Sequence, residues 1–185
     1  MHEERAPANS YTQGIIGRLR FALIISGVIL AAELVGGYLS NSLALLSDAG
    51  HVFTDVLALT LAWFAARQAE RPAHGGMTYG YHRWGIMAAV INGLSLVGVS
   101  GFILYEAYQR WQSPPEVNAP IMLPVAVFGL IGNLIVVRHL HSDAKENLNV
   151  KGAFWHAFGD ALSSVGVILA GVIILFTGRY WVDPA

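Results

Sequence analysis

Several near-uncharged runs of about 20 residues constrain this chain more than any other feature. A run of that length, at about 1.5 Å per residue, crosses a hydrocarbon core of about 30 Å as one helix. Inside a bilayer each segment must satisfy its own backbone N–H and C=O groups, and a helix does so. The expected fold is therefore all-α, a polytopic transmembrane helix bundle. Charged residues make up only 12% of the chain, about half the usual share in a soluble domain. The net charge of -1 says nothing about partners, because its distribution matters more than its sum. The chain has no cysteine, so a metal site must use His, Asp, Glu or backbone oxygens. The polar first 17 residues lead into no cleavage site, so no removed signal peptide is expected.

Five spans are expected, at residues 18–39, 43–66, 84–110, 121–138 and 151–176. Residues 1–17 form an N-terminal tail, and 18–185 form the transmembrane domain. Gly36-Gly37 and Asn41-Ser42 are expected to break the first span from the second. Pro72 with Gly75-Gly76, and Pro114-Pro115 with Pro120, mark later loops. Placing the N-terminus in the cytoplasm puts Arg5, Arg18, Arg20, Arg67, Arg71, Arg83, Arg138, Lys145 and Lys151 inside. Only Arg110 and Arg179 of the eleven Lys and Arg then lie outside, which satisfies the positive-inside rule. The chain reads as a multi-pass integral membrane protein, in the inner membrane if bacterial. Asp183-Pro184 reads as the start of another helix, since Pro is favoured in a first turn. That makes five spans of an expected six.

Two spans carry ionisable groups at the same spacing. His51-x3-Asp55 sits in the second and His156-x3-Asp160 in the fifth. Residues four apart on a helix share a face, roughly 40° apart. The first pair falls roughly 18 and 12 Å from the inner face, the second roughly 8 and 14 Å. The depths overlap near the midplane, where transporters hold their substrates. Two nitrogens and two oxygens around one point form a tetrahedral set for Zn²⁺ or a similar cation. Buried ionisable groups in a membrane mark function by default. The competing reading is helix–helix hydrogen bonding.

Asp48 lies on the face of His51 and Asp55. It is an accessory candidate: a fifth ligand, a proton carrier or a gate toward the outer side. Glu33 and Asn92 either line a cation route or bond a neighbouring helix, and the second is favoured. Glu106 and Arg110 form an interfacial pair. Gly93, Gly98, Gly101, Gly129, Gly132, Gly166 and Gly171 are expected to allow close helix packing. His139 and His141, near Asp143 and Glu146, either capture metal loosely on the cytoplasmic side or form a solvated loop, and the second is favoured. His82, beside Arg83, reads as a surface metal ligand or an interfacial anchor. Trp84, Trp111, Trp155 and Trp181 fall near span ends, as interface anchors do.

These residues resemble the cation diffusion facilitator family, in its zinc-transporting branch. The matching runs are Glu33-Leu-Val-Gly-Gly-Tyr-Leu-Ser-Asn-Ser-Leu-Ala-Leu-Leu-Ser-Asp48 and Ala49-Gly-His51-Val-Phe-Thr-Asp55. Tyr79-Gly-Tyr-His-Arg83, Asn147-Leu-Asn-Val-Lys-Gly-Ala-Phe-Trp-His156, Ala157-Phe-Gly-Asp160 and Trp181-Val-Asp-Pro184 also fit. The resemblance implies a six-helix membrane domain, a homodimer at full length, and export of divalent metal in exchange for protons. It implies a transport site of His51, Asp55, His156 and Asp160, and a secondary cytoplasm-side position at His82. The resemblance also implies a cytoplasmic C-terminal domain, which is expected to lie outside residues 1–185.

The expected partners are divalent cations and the lipid bilayer, with no nucleic acid and no prosthetic group. Zn²⁺ is the expected substrate and H⁺ the expected counter-ion. Two carboxylates offset the metal's two charges, so the loaded site tolerates low dielectric. Ligands must be deprotonated to bind metal, so protons compete for the same atoms. His51 argues against Mn²⁺ and Mg²⁺, which prefer oxygen. One rival is an intramembrane metalloenzyme, but H-E-x-x-H and G-x-S-x-G are both absent. The other is a structural membrane protein whose buried polar groups only join helices. The chain is not expected to be an enzyme.

Overall fold

The computed structural model of the chain describes residues 6–69, 83–142 and 148–183. The described residues form five α-helices: α1 (Ala6–Ser40), α2 (Leu43–Ala69), α3 (Arg83–Gln112), α4 (Ala119–Leu140) and α5 (Leu148–Thr177). A single 3-10 turn, Tyr180–Val182, follows them. Among the described residues, Arg20–Ser40, Ala89–Gln112, Ala119–Leu140 and Val150–Thr177 are long and apolar enough to cross a membrane. The protein is an all-α polytopic membrane protein, as the apolar runs require.

Helix ends differ from expectation where side-chain chemistry reaches beyond the apolar stripe. α1 begins at Ala6 rather than residue 18, with Pro7 in its first turn, a position Pro favours. The stretch read as a tail is therefore helical from residue 6, because apolar periodicity marks only the membrane-crossing part of a helix. α4 starts two residues early because Asn118 caps it, accepting a hydrogen bond from the Ile121 N–H, with Pro120 in the first turn. Pro124 lies inside α4.

Gly36-Gly37 does not break α1, which runs on to Ser40. The turn into α2 is made by Asn41 and Ser42, as expected, with Asn41 in the left-handed region at φ 55, a conformation Asn tolerates better than most residues. The two glycines serve packing instead. A Cβ on Gly36 would stand 2.5 Å from Val125 Cγ2 of α4, and one on Gly37 would stand 2.9 Å from Leu46 of α2. Gly129, Gly132 and Gly171 are likewise pressed against neighbours, whereas Gly93, Gly98, Gly101 and Gly166 face open space. Close packing therefore holds for only part of the expected set. Gly36→Ala is expected to destabilise the protein by about 1–3 kcal/mol through overpacking against a stiff valine. Gly98→Ala is expected to be neutral or stabilising by about 0.5–1 kcal/mol, having no clash to relieve. Thermal unfolding midpoints in detergent compare the two.

α1, α2, α4 and α5 form a four-helix group in which α1 packs on α2 and α4, and α4 on α5. α3 packs on α2, and no residue of its apolar window is buried. Two apolar clusters hold the group at its ends. Leu45, Val117, Ala119, Met122, Ala126, Val167 and Ile174 form one; Val136, Leu140, Val150 and Ala157 form the other. Between them the buried residues include polar groups: Glu33, Asp48, Asn133, Asp160 and Ser164. α2 and α5 approach each other only loosely. The site lies in that gap.

Candidate functional site

α2 and α5 each present one His-x3-Asp face, and the two faces meet. His156 Nε2 lies 3.0 Å from Asp55 Oδ2 and 3.6 Å from Asp160 Oδ2. His51 Nε2 lies 3.8 Å from Asp55 Oδ2 and 3.8 Å from Asp160 Oδ1. Each carboxylate thus meets both imidazoles, one across the helix gap and one along its own helix. The imidazole rings are 5.8 Å apart between centroids. Ligand atoms of His51, His156 and Asp160 all lie within 4.8 Å of one another. Asp55 joins them through its contacts with the two histidines.

These spacings have a chemical meaning. Atoms about 2.0 Å from a shared centre in a tetrahedron stand about 3.3 Å from each other. The four contacts bracket that value. Asp55 Oδ2 is buried and has no aligned hydrogen-bond donor, an arrangement that costs free energy unless something else satisfies the oxygen. A cavity of about 950 Å³ opens beside the cluster and is lined by His51, His156 and Asp160. The imidazoles face it with side chains about half exposed, at 54% and 45%, while Asp160 at 10% is set into the wall.

The remaining candidates separate around this cluster. Asp48 lines the same cavity and accepts a 2.7 Å hydrogen bond from Ser163 Oγ of α5. Among the described residues it makes no ion pair with the four. Glu33 is 1% exposed and lies within hydrogen-bonding reach of Asp48. Its Oε1 occupies the space that a Cβ on Gly129 would need, and its Oε2 has no partner. Ser164 Oγ donates to the Asp160 carbonyl at 3.0 Å. Asn92 sits on α3 with its Oδ1 buried and unpartnered among the described residues. The rings of His139 and His141 pack against Phe21 and Phe154, so they are not a purely solvated pair. His74, His82, Asp143 and Glu146 lie outside the described residues.

Two features went unseen in the sequence. Ser163 follows Asp160 by three residues and His156 by seven, so helical spacing alone puts it on the ligand face. Asp183 reads only as the start of a further helix, and nothing local signals its contact with α2. It sits beyond the 3-10 turn, and its carboxylate caps the start of α2, 140 residues away in sequence. Pro184 lies outside the described residues.

The match to the cation efflux transmembrane domain covers residues 19–185. The metal cation efflux system protein CzcD of Cupriavidus metallidurans is 51% identical over 90% of this chain and 53% of its own length. A Bacillus subtilis protein named cadmium, cobalt and zinc/H(+)-K(+) antiporter is 46% identical over 88% of this chain and 52% of its own. The Escherichia coli zinc transporter ZitB is 41% identical over 90% of this chain and 54% of its own. The chain spans about half the length of these curated relatives. They are named as efflux systems, transporters and antiporters, and not as enzymes. On the match over residues 19–185, this chain belongs to the cation efflux family, as a bearer of its transmembrane domain.

Proposed function

We propose that this chain forms the transport pathway of a divalent-cation efflux protein, with zinc as its main substrate and protons as counter-ions. The supporting observation is the ring of four contacts, at 3.0, 3.6, 3.8 and 3.8 Å, which bracket the edge length of about 3.3 Å of a tetrahedral zinc site. His51, Asp55, His156 and Asp160 are the ligands. Two imidazoles suit zinc and its softer neighbours over Mg²⁺ or Mn²⁺. The two carboxylates bring two negative charges to a dication, so the loaded site is near neutral in the bilayer.

Protons and cation compete for the same four groups. A ligand must be deprotonated to bind metal, so acid on one side discharges the site toward that side. The positive-inside distribution puts the N-terminus and the Leu140 end of the bundle in the cytoplasm. The turn at Asn41 then faces outward. The intact protein acts as a homodimer. Inverted vesicles carrying the full-length protein should accumulate zinc when their lumen is acidified, and less so across a panel running from Cd²⁺ and Co²⁺ to Mn²⁺. Zinc accumulation that ignores the proton gradient would remove the antiport; no metal accumulation at all would remove the transport reading.

A further inference from the structure

The cavity beside the four ligands runs along α2 toward the Asn41 end, where Leu43, Val182 and Asp183 line it. Its far end is lined by a carboxylate with several partners. Asp183, with a side chain 0% exposed, accepts hydrogen bonds from Ser42 Oγ at 2.5 Å and from the Leu43 N–H at 2.5 Å. A longer one comes from the Ala44 N–H at 3.5 Å. It therefore caps α2 from outside that helix, where the unpaired N–H groups and the positive end of the helix dipole favour an anion.

Arg110, at the end of α3, ties this cap to three other segments. Its Nη1 lies 3.8 Å from Asp183 Oδ2. It also donates from Nη1 to the Asn41 carbonyl at 2.6 Å and from Nη2 to Asn41 Oδ1 at 3.1 Å. Its Nε donates to Glu106 Oε1 at 3.0 Å. Asn41 Nδ2 in turn donates to the Glu116 carbonyl at 3.1 Å, in the link between α3 and α4. One buried carboxylate and one guanidinium thus join the start of α2, the end of α3, the α3–α4 link and the segment after α5. His51 lies eight residues into the helix that they hold, roughly 12 Å below the cap.

We propose that Asp183 and Arg110 are positioning residues that latch the outer end of α2. They close the Asn41 end of the cavity and thereby set how often the four-ligand site opens outward. Neither touches the cation. Release to the outer side requires α2 to part from α5 or the 3-10 turn, and that movement breaks the hydrogen bonds on Asp183. The inference rests on the efflux reading and on its orientation.

The test uses the full-length transporter in proteoliposomes, with Ser47→Cys as the only cysteine. Ser47 lines the cavity between ligands and latch, and this chain contributes no cysteine of its own. A membrane-impermeant thiosulfonate is applied from each side in turn. Asp183→Asn and Arg110→Gln should raise modification from the outer side on the order of tenfold, the scale set by losing a helix cap. Equilibrium zinc affinity should stay within about twofold of the parent, while the maximal transport rate changes, because the ligands themselves are intact. Asn41→Gly keeps the positive φ available, removes one acceptor for Arg110, and should give a smaller rise. Should Asp183→Asn fail to fold, Asn41→Gly and Arg110→Gln carry the test. Outer-side modification at the parent rate overturns the latch, and so does zinc affinity that falls in step with modification, which would mean simple unfolding. Modification confined to the opposite side in every variant overturns the orientation instead. A parent protein that moves no cation overturns the efflux reading, while the change in modification still reports on the latch.

Discussion

Replacing His51 and Asp160 together by alanine is expected to lower zinc affinity by more than about a hundredfold while the helices remain inserted. The scale follows from the 10–100-fold losses seen when groups merely supporting a metal ligand are removed. A hundredfold loss corresponds to about 2.8 kcal/mol. The pair takes one ligand from each helix, leaving Asp55 and His156, which lie 3.0 Å apart and supply one oxygen and one nitrogen. Two donors cannot complete a four-coordinate site. Insertion should persist because His51 is more than half exposed to the cavity and the apolar clusters lie toward the ends of the bundle. Calorimetry on the purified full-length protein measures the change. Unchanged zinc affinity in a folded double variant would remove the four-residue site.

His51→Asp is expected to shift selectivity rather than abolish binding. It leaves three carboxylates and one imidazole. Harder donors favour harder or larger cations, so Mn²⁺ or Cd²⁺ should gain on Zn²⁺ by about tenfold in competition transport. The shorter side chain also withdraws the donor that now stands, as His51 Nε2, 3.8 Å from both Asp55 and Asp160. An unaltered metal order would count against His51 as a direct ligand.

What the sequence carried was whatever repeats along a helix. Apolar runs of about 20 residues dictate spanning helices because the bilayer leaves the backbone no other partner. The i, i+4 spacing put each His and Asp on one face, and the depth count brought Asp55 level with Asp160. Gly36-Gly37 misled for a definable reason. Glycine marks both a break and a close contact, and only the position of Val125 on α4 separates the two.

The sequence by itself determined the five helices, the membrane setting and the four residues that meet between α2 and α5. Each of these follows from local periodicity and from the solvent, and neither depends on how helices pair. The tertiary structure alone decided which carboxylates join the His/Asp cluster and which stand beside it. Asp48 turns to Ser163, Glu33 fits against Gly129, and Asp183 returns to cap α2 from 140 residues away. Such contacts are set by how helices pack and by where a turn returns the chain. No spacing along one strand of sequence encodes that distance.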